Sequence, residues 1–479
     1  MNKMLSRRQA AALELRALEL DDARDMVDIF DEVALAPNSC FLDSSLPVER
    51  FGRHSFIGFD PYLVLTTKGM TARFASRDGE ILEFDNLDPF EALRMAQGAR
   101  AFENDPTGDG LPPFVSGGIG YLSYELGRYV ERLPETVEDD FGLPELSFAF
   151  FDRVVAADLA SGRKWLVVSG ERGDDLGGAA ESALARIAPG AGVADAPARA
   201  DQGTPLEFDC NFTPDEYLAS VRKVKEYILA GDIYQANLSQ RFSAPLLEPA
   251  WRLYRRLRIV NAAPFSAYLN FGDFAVASSS PERFLQVNGR EVETRPIKGT
   301  ARRCEDPVAD ELRRRELRMS KKDHAELSMI VDLERNDLGR VCEYGSVTVK
   351  EHAILESYAT VHHLVSSVVG KLREGQDVID LLRATFPGGS ITGAPKIRSM
   401  EIIDELEPTA RSVYTGAIGY LGACGRHDLN IAIRTMIIKE GRVFFQVGGG
   451  IVADSDPASE FQETLDKGKA MFDTVTGAR

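Results

Sequence analysis

The group in this 479-residue sequence with the clearest chemistry to offer is Lys298, within Thr294-Arg295-Pro296-Ile297-Lys298-Gly299-Thr300. Pro296 fixes φ two residues before it and Gly299 lets the backbone bend just after it, so the ammonium is presented on constrained backbone at a strand end. An Asn288-Gly289 step between the alternating runs 284–287 and 291–293 predicts a β-hairpin leading to that point. A lysine so placed is either a nucleophile or a solvated charge at a hairpin end. Glu282, in Ser280-Pro281-Glu282, falls at the opposite end of the strand pair from the turn, so it and Lys298 are expected to project from the same sheet edge.

Further carboxylates follow at helical spacing. Ser320-Lys321-Lys322-Asp323 reads as a capping box opening a long helix whose buried stripe is Leu327, Ile330, Val331 and Leu333. Glu326 borders that stripe and faces inward, as a ligand or as an interface ion pair. Asp456 is an N-cap with Pro457 at N1, and Glu460, Glu463 and Lys467 then share one helical face. They are either ligands or a solvated charge pairing.

Three loops bear on the same question. In Phe386-Pro387-Gly388-Gly389-Ser390-Ile391-Thr392-Gly393-Ala394-Pro395-Lys396, Thr392 and Pro395 are expected to open a helix whose amides receive an anion. The loop lacks the Gly-Lys-Ser/Thr ending of a nucleotide-binding P-loop. A strand over 443–447 runs into Gly448-Gly449-Gly450, bare backbone that an oxyanion can approach. Cys424 and His427 lie in a strand-to-strand connection, not the strand-to-helix elbow a catalytic nucleophile needs.

The elements that must hold these residues are readable in order. A helix is predicted over 23–32, strands over 40–45 and 52–58, and a closely packed strand in the glycine-containing run 114–122. The Gly-, Ala- and Asp-rich stretch from Ser169 to about Pro205 suggests an N-terminal region over 20–170, a linker over 171–208 and a catalytic domain over 209–475. Thr213-Pro214 opens a helix carrying Tyr217, Val221, Val224 and Ile228 that stops at Gly231. A strand from 233, a helix over 251–261, an antiparallel meander of 265–270, 274–278, 284–287 and 291–295, and strands over 413–421 and 429–435 complete the reading.

Composition narrows the partners. A formal charge of −18 opposes nucleic acid and anionic membrane, so an anionic substrate needs a local cationic pocket or a bound metal. Five scattered cysteines without Cys-x-x-Cys fit neither a disulfide framework nor a zinc site, and a reducing cytoplasmic compartment is expected. Lys3, Arg7 and Arg8 precede no apolar core of a signal peptide, Glu14 and Glu19 oppose a transit peptide, and no apolar run is long enough to span a membrane.

Pro-Ile-Lys-Gly-Thr, Ala325-Glu326 with Val331-Asp332-Leu333-Glu334-Arg335-Asn336-Asp337, Gly389 to Lys396, and Gly448-Gly449-Gly450-Ile451-Val452-Ala453-Asp454-Ser455 through Glu463-Thr464 together resemble the chorismate-utilising enzymes. The resemblance covers about 210–470, and the N-terminal part resembles that of anthranilate and aminodeoxychorismate synthases. It implies an α+β fold of two large antiparallel sheets packed near-orthogonally with helices outside. Gln235 stands where isochorismate and salicylate synthases carry a lysine that activates water, and Lys298 stands where anthranilate synthases typically have alanine. The resemblance therefore points to synthesis of 4-amino-4-deoxychorismate, a folate precursor, with Lys298 as covalent nucleophile and Glu282 as general acid. It further implies Mg²⁺ held by Glu326 and Glu463, with Glu460 assisting through water. Arg434, Tyr414 and Gly448, Gly449 and Gly450 would hold the enolpyruvyl carboxylate, His363 would lie near the ring, and Gly299 and Thr300 would form the floor. Gln235, Thr392 and Lys467 complete the expected binding set. Leu42-Asp43-Ser44 departs from the Leu-Glu-Ser of tryptophan-sensitive anthranilate synthases. A separate glutamine amidotransferase is the implied ammonia source. Anthranilate synthase component I and an idle tryptophan-binding or scaffold subunit are the competing readings.

Overall fold

The computed structural model describes residues 13–46, 51–190, 206–304, 306–357 and 361–477. Two antiparallel twelve-stranded sheets face each other across an aromatic core, and each carries helices on its outer side. The α+β architecture of two large antiparallel sheets is as expected. Phe56, Val154, Val276 and Ile437 of one sheet meet Ile119, Tyr121, Ile418 and Tyr420 of the other in the shared core. The outer layers are equally apolar: Phe30, Trp251, Tyr254 and Met471 cover the first sheet, and Leu327, Val331, Leu382 and Ile403 cover the second. Such burial on both faces explains why many strands here read as continuous apolar runs instead of clean alternation.

Each sheet draws strands from both halves of the chain. In the first, Ser39–Asp43 pairs with Phe265–Asn270, with Leu42 opposite Ala267. In the second, Gly117–Leu122 pairs with Ala417–Gly422, placing Gly120 opposite Gly419. A Cβ at Gly120 would collide with the Ser147 carbonyl, so close backbone packing accounts for the glycines of that run. Within the expected linker, Leu176–Ile187 is a helix capped by Asp175, and residues 191–205 lie outside the described ones.

The expected meander is corrected. Phe265–Asn270 and Phe274–Ser280 belong to the first sheet, whereas Arg283–Asn288 and Glu291–Arg295 belong to the second. The chain crosses between sheets at Pro281-Glu282, because proline has no N–H to continue the ladder. It crosses again between Arg426–Ile431 and Thr435–Lys439, where Arg434 takes a positive φ of 52°. The crossings are tied together: Ile431 N donates to Glu282 O at 3.0 Å and Ser279 N donates to Arg434 O at 3.0 Å. Two charged residues are thereby fixed where the sheets part.

The helices follow local rules. Pro214–Ala230 has the Thr213–Glu216 capping box, proline at N1 and a left-handed Gly231 after its end. Lys321–Gly339 begins at Ser320, whose hydroxyl accepts from Asp323 N at 3.2 Å. The reciprocal half of the expected box is absent, because Ser320 N donates to Leu317 O to close the preceding helix, Pro307–Met319. Pro457–Thr476 is capped by Asp456 as expected. None of the helices in the described residues is long and apolar enough to cross a membrane.

Candidate active site

A cavity of about 930 Å³ opens between the Gly-rich end of the first sheet, the start of Ile297–Arg302 in the second, and the helices Lys321–Gly339 and Pro457–Thr476. Lys298, Glu282, Gly299, Thr300, His363, Tyr414, Arg434, Gly448, Gly449, Gly450, Lys467, Glu326 and Glu463 all line it. Residues scattered over more than 180 positions of sequence converge on one wall-to-wall pocket. Gln235, Thr392 and Glu460 do not reach its surface.

Lys298 is the second residue of a further strand, Ile297–Arg302, instead of the end of the hairpin strand: it pairs with Leu364, and the ladder shifts by a residue between it and Thr300. Gly299 is the extra residue of that bulge, at φ 74°, a conformation cheap only for glycine. Added bulk there would also strike the next layer, because a Cβ would lie 2.9 Å from Asp323 Cγ and 2.9 Å from Leu317 Cδ1. The bulge turns Lys298 into the cavity, where Nζ donates to Ser390 O at 3.1 Å. Burial lowers its pKa, while Glu326 works against that and Lys467 reinforces it. The shift is toward the neutral amine, the nucleophilic form.

Glu282 is buried at the inter-sheet crossing, with Ile297 N donating to Oε1 at 3.4 Å. Burial raises its pKa, opposed by a hydrogen bond from the Ser390 side chain, then by the Lys298 ammonium and that amide. It is therefore biased toward the protonated acid beside a lysine biased toward the free base.

Across the pocket Arg434 is half-buried and, among the described residues, has no carboxylate within ion-pair distance. Burial disfavours its charge, and nearby Arg302 adds to that. An entering carboxylate would relieve both effects, and Tyr414, pushed up to about 12 by burial, remains a hydrogen-bond donor beside it. His363 accepts or donates at Thr300 Oγ1, 2.8 Å away, and burial lowers it to about 4, so the ring is neutral near pH 7.

The glycine triplet belongs to the strand Arg442–Ile451 instead of forming a loop after it, with Gly448, Gly449 and Gly450 opposite Ser239, Leu238 and Asn237. A Cβ at Gly450 would collide with the Gln235 amide, which is buried behind it with neither polar atom partnered among the described residues. Over Gly449, Glu460 Oε2, Glu463 Oε1 and Lys467 Nζ lie 3.4, 3.5 and 3.7 Å from where a Cβ would stand. Lys467 binds Glu463 at 2.6 Å and outweighs the burial that would raise the Glu463 pKa. Glu460 accepts from Ser455 Oγ at 2.5 Å on one oxygen, and its buried Oε2 has no partner among the described residues. Glu326 faces them from the other helix with its pKa raised by burial.

These carboxylates suit a hard divalent cation in donor type, and the bare Gly449 backbone with the orphaned Glu460 oxygen leaves room for one. They are not yet gathered around a common point: among the described residues no three His, Cys, Asp or Glu groups form a metal-sized cluster.

Thr392 is turned inward. Its hydroxyl donates to Gly388 O at 3.1 Å and its carbonyl receives Asn237 N at 2.8 Å, so it knits the loop instead of capping Lys396–Leu406, whose N-cap is Pro395. Lys396 is likewise tied to Asp337 at 2.6 Å. Sequence reasoning missed Arg302, Arg303, Arg313 and Lys322, which add a cationic rim, and Asn237 and Ser390 beside Lys298. The adjacent pairs Arg302-Arg303 and Lys321-Lys322 were the available signal.

The chain belongs to the family of chorismate binding enzymes, whose model matches residues 48–473. Anthranilate synthase component 1 of Pseudomonas aeruginosa is 42% identical, over 95% of this chain and 94% of its own length. Aminodeoxychorismate synthase component 1 of Salmonella typhimurium is 40% identical, over 91% of this chain and 93% of its own. The crystal structure of anthranilate synthase component I from Streptococcus pneumoniae superposes with a TM-score of 0.76 at 32% identity, covering 88% of this chain and 92% of that one. The menaquinone-specific isochorismate synthase of Escherichia coli shares the fold, with a TM-score of 0.69 at 19% identity over 98% of this chain and 95% of its own.

Proposed function

We propose that this chain is the chorismate-aminating component of an aminodeoxychorismate synthase, forming 4-amino-4-deoxychorismate for 4-aminobenzoate and folate synthesis. The observation that carries the reading is Lys298, a half-buried lysine whose amine enters the pocket and is pushed toward its neutral form beside an acid pushed toward its protonated form.

In this reading Arg434, Tyr414 and the glycine-strand amides hold the enolpyruvyl carboxylate, and Thr300 and His363 support the ring. Glu326 and Glu463, with Glu460 behind them, would hold Mg²⁺, which supplies neutralising charge for the ring carboxylate. Lys298 Nζ bonds to ring C2, both conjugated ring double bonds shift (C1=C2 to C1=C6 and C5=C6 to C4=C5), and the C4–O bond breaks. Glu282 gives its proton to the departing hydroxyl, which leaves as water. Ammonia then bonds to C4, both double bonds shift back, and the C2–N bond breaks so that the lysine leaves as its free amine. Two easier displacements replace one difficult one. The ammonia comes from a separate glutamine amidotransferase, in keeping with the component 1 names of the relatives.

Anthranilate synthesis is the second reading, favoured by the 42% identity to a protein of that name. Incubation with chorismate, Mg²⁺ and ammonium at alkaline pH separates them. The proposal expects 4-aminobenzoate only after a separate lyase is added; anthranilate appearing directly would overturn it.

A further inference from the structure

Glu334 is a carboxyl group that the mechanism does not use and that the fold nevertheless holds inside the protein. It shares the buried face of Lys321–Gly339 with Leu327, Ile330, Val331 and Leu338, is 8% exposed, and does not line the cavity. Thr294 Oγ1 donates to its Oε2 at 3.1 Å. Among the described residues no cation comes within ion-pair distance of it. Lys396, the cation that acts on it, is taken up by Asp337 at 2.6 Å and by the Thr385 and Pro387 carbonyls, each at 2.8 Å. A buried carboxylate with only a neutral partner is costly, so the group resists ionisation.

The same two short segments touch both Glu334 and Glu282. In the first, Thr294 bonds to Glu334, and three residues on Ile297 N donates to Glu282 Oε1 at 3.4 Å. In the second, a Cβ at Gly389 would stand 3.8 Å from Glu334 Cγ, and the adjoining Ser390 side chain bonds to Glu282. Glu282 is thus on the cavity side of these segments and Glu334 behind it. Lys298 stands on the Glu282 side, and Asp337 with Lys396 on the Glu334 side. Asp337 and Lys396 cancel, and Lys298 must be neutral to attack, so nothing offsets a second negative charge. Burial, and then the charge of Glu282, push the Glu334 pKa well above the ordinary carboxylate range.

We propose that Glu334 is a positioning residue for the catalytic proton: it and Glu282 form a buried carboxyl pair that holds a proton in common, which keeps Glu282 protonated to higher pH than it would be alone. This rests on the reading of Glu282 as general acid, and it adds the group that sets its ionisation. The sign follows from the charges. An ionised Glu334 favours the protonated form of Glu282, whereas a protonated Glu334 leaves it unchanged. Removing the Glu334 carboxyl therefore brings the alkaline decline of rate to lower pH.

The test measures kcat for chorismate against pH, at constant free ammonia, in the parent, Glu334→Gln and Glu334→Leu. The amide keeps the size and an acceptor for Thr294, and the leucine keeps the size alone, so the two do not share one folding defect. In both the decline should come about half a pH unit or more earlier, leaving turnover on the alkaline side about threefold or more below the parent. The difference should narrow toward acid pH, and KM should hold because Glu334 does not line the cavity. Infrared difference spectra between acid and alkaline pH should show one fewer buried carboxyl titrating in Glu334→Gln. A decline at the same pH in the parent and both variants, with or without a uniform loss of rate, would reduce Glu334 to a structural partner of Thr294 and end the proposal, with Glu282 still the acid. A decline that survives in Glu282→Gln would overturn the general-acid reading instead.

Discussion

Lys298 Nζ donates to the backbone carbonyl of Ser390 at 3.1 Å, and the same oxygen receives Asn237 Nδ2 at 2.9 Å. The lysine is thus held by a neutral acceptor already shared with an amide, not by a carboxylate. Losing its proton leaves that contact usable, since a neutral amine still donates. A lysine ion-paired as tightly as Lys396 is to Asp337 would resist the change.

Lys298→Ala should therefore remove a reacting group and leave the pocket walls in place. C4 amination is expected to fall about a hundredfold or more, the scale of a lost covalent or acid–base group. Acid quenching of the parent enzyme with ammonia withheld should trap chorismate less one water on the peptide containing Lys298, seen by mass spectrometry. Undiminished amination by the variant, with no adduct in the parent, would reduce the lysine to a shape-giving role.

Glu282 sets the pH dependence. It acts only when protonated, and burial raises its pKa, so the decline of rate with rising pH should begin above the ordinary carboxylate range. Lys298 acts only when neutral, and burial lowers its pKa, so the rise of rate with pH should begin below the ordinary lysine range. The kcat profile should be a bell between them. Glu282→Gln should slow turnover about a hundredfold and abolish the alkaline decline. If the decline persists in Glu282→Gln, another group supplies the proton.

Much of this was legible in local sequence. The Thr213-Pro214 start and Gly231 stop, the Asn288-Gly289 hairpin and the Asp456-Pro457 helix each depend on residues within a turn or two of one another. What escaped was decided between distant segments. Alternation in 274–278 and 284–287 says that both are strands but not that Pro281 sends the second to another sheet, which is what places Glu282. Gly448 to Gly450 carry a loop composition, yet the strand Gln235–Pro245 runs alongside and holds them extended. Thr392 looked like a helix cap until its partner strand drew its carbonyl to Asn237 N. Gln235, placed in the pocket by resemblance, sits one layer deeper because Gly450 has no side chain to hold it off.

The carboxylates around Gly449 make a metal prediction. Lys467 neutralises Glu463 in the arrangement described, and a divalent cation would compete with that ion pair. Excess chelator should abolish turnover and Mg²⁺ restore it, while Glu463→Gln should not recover at any Mg²⁺ concentration. Titration calorimetry should find Mg²⁺ binding in the presence of chorismate weakened by the same substitution. Full activity in excess EDTA would refute the assignment.

Gly299 offers the most direct test of how the fold aims the nucleophile. Gly289 and Gly299 have similar positive φ values, 61° and 74°, but a Cβ at Gly289 meets nothing within 4 Å, whereas one at Gly299 meets Asp323 and Leu317 at 2.9 Å. Gly289→Ala should cost only the left-handed backbone term, about 1–2 kcal/mol of stability, and leave turnover unchanged. Gly299→Ala carries the same backbone term and must also displace two helix residues or flatten the bulge. Either adjustment moves Lys298 away from Ser390. It is expected to lose stability beyond the Gly289→Ala loss in denaturant titration, with kcat reduced at least tenfold and little change in KM, because the glycine-strand amides, Arg434 and Tyr414 that would hold the enolpyruvyl carboxylate are not part of the bulged strand. Equal stability losses and full activity in both variants would show that the bulge does not position the lysine.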